Sequence, residues 1–433
     1  MGNVKVAIIG FGTVGSGVAR LLLEHGQRIA RHVGRSVELA HVVDVDLTRP
    51  RNVSLPPGIL TNDLDRVLGD PEVVAVVQLI GGIEPERTIM LKVLESGKDV
   101  ITANKALLAE HGPELFDRAR RLGRSIAFEA AVAGGIPIIA AMSECLAANQ
   151  IESIHAILNG TSNFILSQME EEGASYQQAL TEAQRRGYAE ANPAMDVDGS
   201  DAAQKLAILA HLAFGARVNW RDIPRTGIDT VDVADMRYAR ELGYAIKLLA
   251  VANLVPEGLE LHVSPTLVRR GTPLAEVRGA YNAIRLVGDA VGRLFFQGLG
   301  AGQMPTASAV VADLIGTLVG RTRITFQALN LWSNDEAVRV VPRDPAKVPG
   351  RFYLRLNVED RPGVMAEIAG VLGRKAISIA SVIQHETAEE ATDVVPLVFM
   401  THTAPEGAMA EAVAEIERLP SVHPPSVRMR VRD

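Results

Sequence analysis

Three observations predict an α/β protein built in several parts. Short apolar strands alternate with amphipathic helices over residues 1–137. A Gly10-Phe11-Gly12-Thr13-Val14-Gly15 run lies between the first strand and the first helix. The order strand, helix, strand, strand, helix, strand is compressed into residues 351–433. These predict a Rossmann-like domain over 1–137, completed by about 303–330, and an α+β domain with its own sheet over 138–302. A linker over 333–350 and a ferredoxin-like domain over 351–433 follow.

Lys5–Ile9 reads as an apolar strand, and a helix runs from the glycines to about His25. In that setting G-x-G-x-x-G allows a tight turn and brings a pyrophosphate close to the N–H groups of the helix N-terminus. The bland alternative is a turn whose glycines serve packing only. The second strand, Val37–Val43, ends at Asp44, an acid placed to bond ribose hydroxyls, while Arg49 and Arg51 could hold a 2′-phosphate. NAD and NADP both stay open. VVAVVQLI (73–80) is a central parallel strand, and Gly81 at its C-terminal end lets a ligand approach. Pro85 opens a helix that stops at Ser96-Gly97. Strand Asp99–Thr102 delivers Thr102-Ala103-Asn104-Lys105 to the carboxyl edge of the sheet, which makes Lys105 a site candidate. A helix from about Pro113 to Leu122 and a strand over Ser125–Phe128 lead to EAAVAGGIP (129–137). The glycines there imply a bent backbone with carbonyls available to a cation beside Glu129, or a hinge.

In the middle domain Ile154–Leu158 is a strand, and Asn159-Gly160-Thr161-Ser162-Asn163 a turn and cap into a helix to about Glu172. Ser175 and Gln178 form a capping box for a helix that ends at Gly187. The stretch Gly187–Lys205 gathers four carboxylates (Glu190, Asp196, Asp198, Asp201) towards Lys205. Ser200 can cap a helix that begins at Asp201 and continues almost wholly apolar, so Asp201 and Lys205 share one face. A surface ion pair is the bland reading, but so apolar a helix draws the lysine into a cleft wall, where it can donate a proton. A calcium loop fails on spacing, because Asp201 and Ala207 occupy the positions that need Gly and Glu. An acidic loop beside a buried lysine suits a small substrate that carries an ammonium group. Strands follow from about Ala252 to Ala283. Gly298–Gly302 is a second glycine turn before a helix from Pro305 to about Leu318, and its backbone N–H groups, that of Gly302 among them, can serve an anion or the nicotinamide side of a cofactor.

The chain has 433 residues, 47% hydrophobic and 22% charged, which gives ample core for such domains. A net charge of -7 without a basic face argues against nucleic acid or an anionic membrane as partner. The N-terminus enters a strand directly and no apolar run approaches ~20 residues, so a soluble cytoplasmic protein is expected. A single cysteine, Cys145, excludes an intramolecular disulfide framework and a multi-cysteine zinc site.

Residues 1 to about 330 resemble homoserine dehydrogenase. ILNGTSNFIL (157–166) and GYAEANPAMDVDGSDAAQKLAILA (187–210) carry the likeness, with TANK (102–105) and EAAVAGGIPII (129–139) before them. The C-terminal domain resembles an ACT domain, a dimer-forming sheet that binds amino-acid effectors near the loop matched by Asp360-Arg361-Pro362-Gly363. The resemblance implies NAD(P)-dependent interconversion of aspartate 4-semialdehyde and homoserine on the way to threonine, methionine and isoleucine. It implies Lys205 as proton donor, Lys105 orienting substrate and cofactor, and Glu190, Asp196 and Asp201 binding the substrate. Gly10, Phe11, Gly12, Thr13, Val14, Gly15, Asp44, Gly81, Lys105, Gly187, Glu190 and Gly302 would meet the cofactor. Glu129 with the backbones of Val132, Gly134 and Ile136 matches a site for Na+ or K+. It further implies the monofunctional form, a homodimer or homotetramer, and feedback by threonine. Family members often carry a basic residue near Val45, where this chain has Asp44-Val45-Asp46, so cofactor preference stays open.

Two other classes compete. A semialdehyde dehydrogenase that forms an acyl-enzyme needs a nucleophilic cysteine, and Cys145 sits in an apolar SECLAA without a basic neighbour. A nucleotide- and amino-acid-sensing protein would leave Glu190, Asp201 and Lys205 without a task.

Overall fold

A computed structural model describes residues 3–331, 340–385 and 394–433. Of the expected linker, residues 333–339 lie outside the described residues. The chain divides into two compact units: Met1–Glu152 with Gln204–Asp222 and Leu286–Val340, and Ser153–Ala203 with Ile223–Arg285 and Val341–Asp433.

In the first unit, strands β1 (Asn3–Ile9), β2 (Ser36–Val43), β3 (Leu60–Thr61), β4 (Val73–Gln78), β5 (Asp99–Thr102) and β6 (Ile126–Ala127) form a parallel sheet. Its order, β3-β2-β1-β4-β5-β6, is that of a doubly wound dinucleotide fold. The central strands are apolar on both faces because helices cover both, and Val6, Ile8, Val76 and Val77 are fully buried. Helix Thr13–Glu24 packs on helix Gln303–Leu318, with Val18, Ala19 and Leu22 meeting Ala307, Val310 and Leu314 in one core. The approach is close at Gly17, where a Cβ would stand 2.9 Å from the Gln303 side chain.

The helix expected from Pro113 instead spans Lys105–Arg121 with Pro113 inside it. The Asn104 side chain caps it by accepting from the Leu107 N–H at 3.0 Å. A helix nucleated upstream tolerates the one intrahelical bond that proline removes. An unexpected helix, Gly26–Val33, follows the first and ends on Gly34 at φ +79.

The second unit's strands are β7 (Ile151–Ile157), β8 (Tyr244–Val255), β9 (Gly258–Arg269) and β10 (Tyr281–Gly288); β11 (Gly292–Leu299) follows in the chain. β8 begins well before Ala252, since the apolar run YAIKLLAVA is buried on both faces and shows no alternation. The C-terminal part adds β12 (Pro349–Glu359), β13 (Ile379–Ile383), β14 (Val394–Thr401), β15 (Ala404–Pro405) and β16 (Val422–Arg432). Helices Val364–Arg374 and Glu406–Ile416 pack Ile368, Leu372, Met409 and Ala412 on this sheet. Its order, β16-β12-β14-β13, is the ferredoxin-like arrangement, and β16 also pairs in parallel with β9, so β10-β7-β8-β9 continue it as one sheet.

Candidate active site

In the first unit the three fingerprint glycines do different work. Gly10 has φ +96, and a Cβ on it would lie 2.8 Å from the Leu79 carbonyl carbon. A Cβ on Gly15 would stand 2.0 Å from the Gly10 oxygen, so glycine lets the helix start directly over the turn. Gly12 has nothing within 4 Å. It is the N-cap of helix Thr13–Glu24, whose first turn receives no side-chain cap and holds no acid. Uncapped N–H groups of Thr13 and Val14 beside open space fit a pyrophosphate.

Asp44 sits at the end of β2 as expected, but its carboxylate braces the glycine turn. Oδ2 accepts from the Phe11 N–H at 2.6 Å and Oδ1 from the Asp46 N–H at 2.9 Å. Arg51 is likewise committed: it donates to the Phe11 carbonyl at 2.9 Å and lies 4.8 Å over the Phe11 ring. Arg49 remains exposed. Gly81 is exposed beyond β4, and Asn104 ties that turn to the next helix by donating to the carbonyls of Ile80 (3.1 Å) and Gly82 (2.7 Å). Lys105 is the first residue of the helix so fixed, half-buried at the carboxyl end of β5. Gly302, at φ +116, is the N-cap of helix Gln303–Leu318, and Gln303 donates to the Ser16 hydroxyl at 3.0 Å.

The stretch Glu129–Ile136 is bent as its glycines suggested, with positive φ at Ala133 (+54) and Gly134 (+48). A Cβ on Gly134 would meet the Gly300 oxygen at 2.4 Å. The buried Glu129 carboxylate turns to the main chain, accepting from the N–H groups of Ile139 at 2.8 Å and Ala140 at 2.7 Å. Burial raises its pKa. Asp313, which accepts from the Glu129 N–H at 2.8 Å, is raised well above its usual range by burial and by the Glu129 charge. Ile136 offers its carbonyl to the Ile138 N–H. Among the described residues no three His, Cys, Asp or Glu converge to hold a metal.

Helix Ser200–Phe214 is buried nearly all round, with Ala202, Ala203, Leu206, Leu209 and Ala210 at most 1% exposed, and Lys205 is 9% exposed. The helix begins one residue earlier than expected. Asp198, not Ser200, supplies the accepting side chain, taking the Ser200 N–H at 2.7 Å and its hydroxyl at 2.9 Å. Asp198 is therefore engaged in a local turn, and Glu190 is exposed, with its carbonyl held by Gln184.

The two carboxylates that the second unit brings together are Asp196 and Asp201. The buried Asn159 amide donates to Asp196 Oδ1 at 2.8 Å and to Asp201 Oδ2 at 2.9 Å. Its neighbours grip the same loop: Thr161 donates to the Tyr188 carbonyl (2.6 Å), and Ser162 to the Asp196 carbonyl (2.7 Å). Gly160 has no room for a Cβ, which would meet the Ala280 oxygen at 2.7 Å. Sequence reasoning gave Asn159 only a turn and a cap. The overlooked signal is that an asparagine cap has two N–H donors left over, and acids lay downstream to take them. Gly187 ends the preceding helix at φ +75 with open space around it.

In the C-terminal part Asp360, Arg361, Pro362 and Gly363 line a cavity of about 380 Å³ with Met365 and Gln384. Gly363 (φ +98) is the N-cap of helix Val364–Arg374, and Arg361 pairs with Glu359 at 2.8 Å and Glu367 at 3.4 Å.

A doubly wound sheet with an open glycine turn at the start of its first helix is the architecture of a dinucleotide-binding protein, and the family models matched below make it a nicotinamide-dinucleotide-dependent oxidoreductase. Residues 137–315 match the family model "Homoserine dehydrogenase", 10–129 "Homoserine dehydrogenase, NAD binding domain", and 352–421 "ACT domain". A homoserine dehydrogenase of Pseudomonas aeruginosa is 43% identical over 435 residues, covering 100% of this chain and 99% of that one. The crystal structure of a homoserine dehydrogenase from Thiobacillus denitrificans superposes with TM-score 0.92 at 41% identity, covering 100% and 99% of the two chains. A hyperthermophilic archaeal homoserine dehydrogenase in complex with NADPH gives TM-score 0.61 at 26% identity over 73% of this chain and 97% of that one. The chain belongs to the homoserine dehydrogenase family and carries a C-terminal ACT domain. Among the described residues no helix is long and apolar enough to cross a membrane.

Proposed function

We propose that the chain catalyses the reversible NAD(P)-dependent oxidation of L-homoserine to L-aspartate 4-semialdehyde, a step towards threonine, methionine and isoleucine. The observation that carries this reading is Asp196 and Asp201 held on one amide, with Lys205 one turn further along the buried helix of Asp201. Two fixed carboxylates recognise the substrate's ammonium group, and Glu190 adds a third from the loop. Lys205 takes the hydroxyl proton as the adjacent C–H bond gives up its hydride, and returns it to the carbonyl oxygen in reduction. Lys105, fixed at its helix start by Asn104, orients substrate and cofactor. The nicotinamide, when bound, supplies the hydride acceptor or donor.

The cofactor lies along Gly10–Gly15, with Gly81, Gly187 and Gly302 at its approaches. Exposed Arg49 supports acceptance of a 2′-phosphate, as does the relative solved with NADPH. Asp44 acts through the turn it braces, and its oxygens remain able to accept a ribose hydroxyl. Na+ or K+ is held by the carbonyls of Val132, Gly134 and Ile136 beside Glu129, a reading supported by the two successive positive φ values. The cavity at Asp360–Gly363 takes an amino-acid effector, threonine, which lowers activity in a homodimer or homotetramer.

The test is the initial rate of homoserine oxidation with NAD and with NADP, for the wild type and Lys205→Ala. A loss of several orders of magnitude with cofactor binding retained is expected. An inactive wild type that binds cofactor, or an equally active variant, sinks the reading.

A further inference from the structure

Asn159 is the first residue before helix Gly160–Glu172, and its side chain uses both of its N–H donors and its oxygen. Its oxygen accepts from the Ser162 N–H at 2.8 Å, which is the helix cap. That bond also fixes which end of the amide is which, because a backbone N–H cannot accept. The NH2 group must therefore face the acids, with one donor on Asp196 at 2.8 Å and the other on Asp201 at 2.9 Å. The residue is 4% exposed. Three elements meet on it: its own helix, the short helix Ala194–Val197 that carries Asp196, and the first turn of helix Ser200–Phe214 that carries Asp201.

The two N–H bonds of an amide diverge by roughly 120°, so the two accepted oxygens stand roughly 5 Å apart. Carboxylates that close repel, so each has to be held in place. Two hydrogen bonds donated from one planar amide hold them at that separation. The amide does so without contributing a charge of its own. An acid would add to the repulsion.

We propose that Asn159 is a positioning residue for the reaction: it holds Asp196 and Asp201 at a fixed separation and orientation, so that together they bind the ammonium group of the substrate. This rests on the reading of Asp196 and Asp201 as substrate ligands. The bland alternative is that Asn159 only caps its helix.

Asn159→Asp and Asn159→Ser separate the two, since Asp and Ser are both good N-caps but neither can donate to two carboxylates. Steady-state kinetics of homoserine oxidation would be measured from pH 5 to 9, with melting temperatures and the KM for the dinucleotide. The expected result for both variants is a KM for homoserine raised about 10- to 100-fold, the scale of a lost charged hydrogen bond. The dinucleotide KM should stay within about twofold, and in Asn159→Asp the acid limb of kcat/KM should move up by about one pH unit. Variants with wild-type KM for homoserine and an unmoved acid limb overturn the proposal. So do variants that lose melting temperature and dinucleotide affinity along with homoserine affinity, since that is a structural role. A wild type that does not oxidise homoserine at all overturns the underlying reading, and the proposal with it.

Discussion

Asp235, in helix Val233–Glu241, offers a severe test of what holds the second unit together. Its carboxylate is fully buried. It accepts from Arg355 Nε at 2.6 Å and Nη2 at 3.0 Å, from the Tyr353 hydroxyl at 2.8 Å, and from the Asp232 N–H at 2.9 Å. Burial and the Asp235 charge push the Tyr353 phenol far above its ordinary pKa, so it stays a donor at any working pH. Asp235→Ala leaves a nearly buried guanidinium and a buried hydroxyl without their acceptor. Breaking one side of such a pair costs about 3–5 kcal/mol. In a unit of roughly 200 residues, about 4 kcal/mol corresponds to a melting-temperature drop of roughly 10 °C. Asp235→Leu with Arg355→Met removes both charges and should recover more than half of the loss, because the cost lies in the stranded charge and not in the pair's own worth. Calorimetry and urea unfolding of Asp235→Leu, Arg355→Met and the double variant would read this as a cycle, with Asp235→Ala measured beside them. A drop below about 3 °C for Asp235→Ala, or a double variant no better than the singles added, would refute the reasoning.

Gly12→Ala should fold with an unchanged melting temperature, since no atom lies within 4 Å of its Cβ, yet lose at least about tenfold in dinucleotide affinity by fluorescence titration. Equal affinity would mean that the pyrophosphate does not approach there. Gly15→Ala, with a Cβ 2.0 Å from the Gly10 oxygen, should instead lower stability and cofactor binding together. His155 accepts from Arg285 at Nδ1 (2.8 Å) and donates from Nε2 to Asn253 (2.8 Å), and burial lowers its pKa to about 3. The folded protein then holds this histidine neutral while the unfolded chain protonates it near pH 6.5. The unfolded state binds the extra proton, and stability falls as pH drops from about 6.5 towards 3 by up to about 1.4 kcal/mol per unit. Urea unfolding at pH 7 and pH 5 should show a shallower acid loss in His155→Gln than in the wild type, and equal losses would contradict the assignment.

Much of this was legible because it is local. The strand-turn-helix glycines, the Ser175–Gln178 capping box and the βαββαβ order each declare themselves within a short window, and each appears in the structure. What was hidden depends on partners far away in sequence. Pro113 looked like a helix start because its window does not contain Asn104, the cap that nucleates the helix nine residues upstream. The bracing of Phe11 by Asp44 and Arg51 was hidden because it spans a whole β-α-β unit. The sequence reading set Glu190, Asp196 and Asp201 apart from Asp198, but it is the fold that puts Asp196 and Asp201 on one amide, engages Asp198 with Ser200 and leaves Glu190 exposed.

The same logic explains why the C-terminal domain is more than an appendage within its unit. β9 pairs along one edge with β16, Thr266 to Val268 lying against Arg430 to Arg432. Near its start Leu259 exchanges main-chain bonds with Val341 (2.9 Å) and Arg343 (2.8 Å). Between these contacts Val263 bonds Pro224 and Thr226, each at 2.9 Å, and its Cγ1 lies where a Cβ on Gly199 would meet it at 3.1 Å. Ile228 in turn donates to the Val197 carbonyl at 2.9 Å. One strand thus touches the ACT sheet at its edge and the Asp196–Asp201 loop through its middle. Val263→Ala would open a small void beneath that loop at a cost of about 1–2 kcal/mol, without altering any hydrogen bond of β9 to β16. If the acids are held by packing from below as well as by Asn159 from above, the variant should raise the KM for homoserine while leaving that for the dinucleotide unchanged. An unaltered KM for homoserine would leave Asn159 and its neighbours as the loop's sufficient anchor.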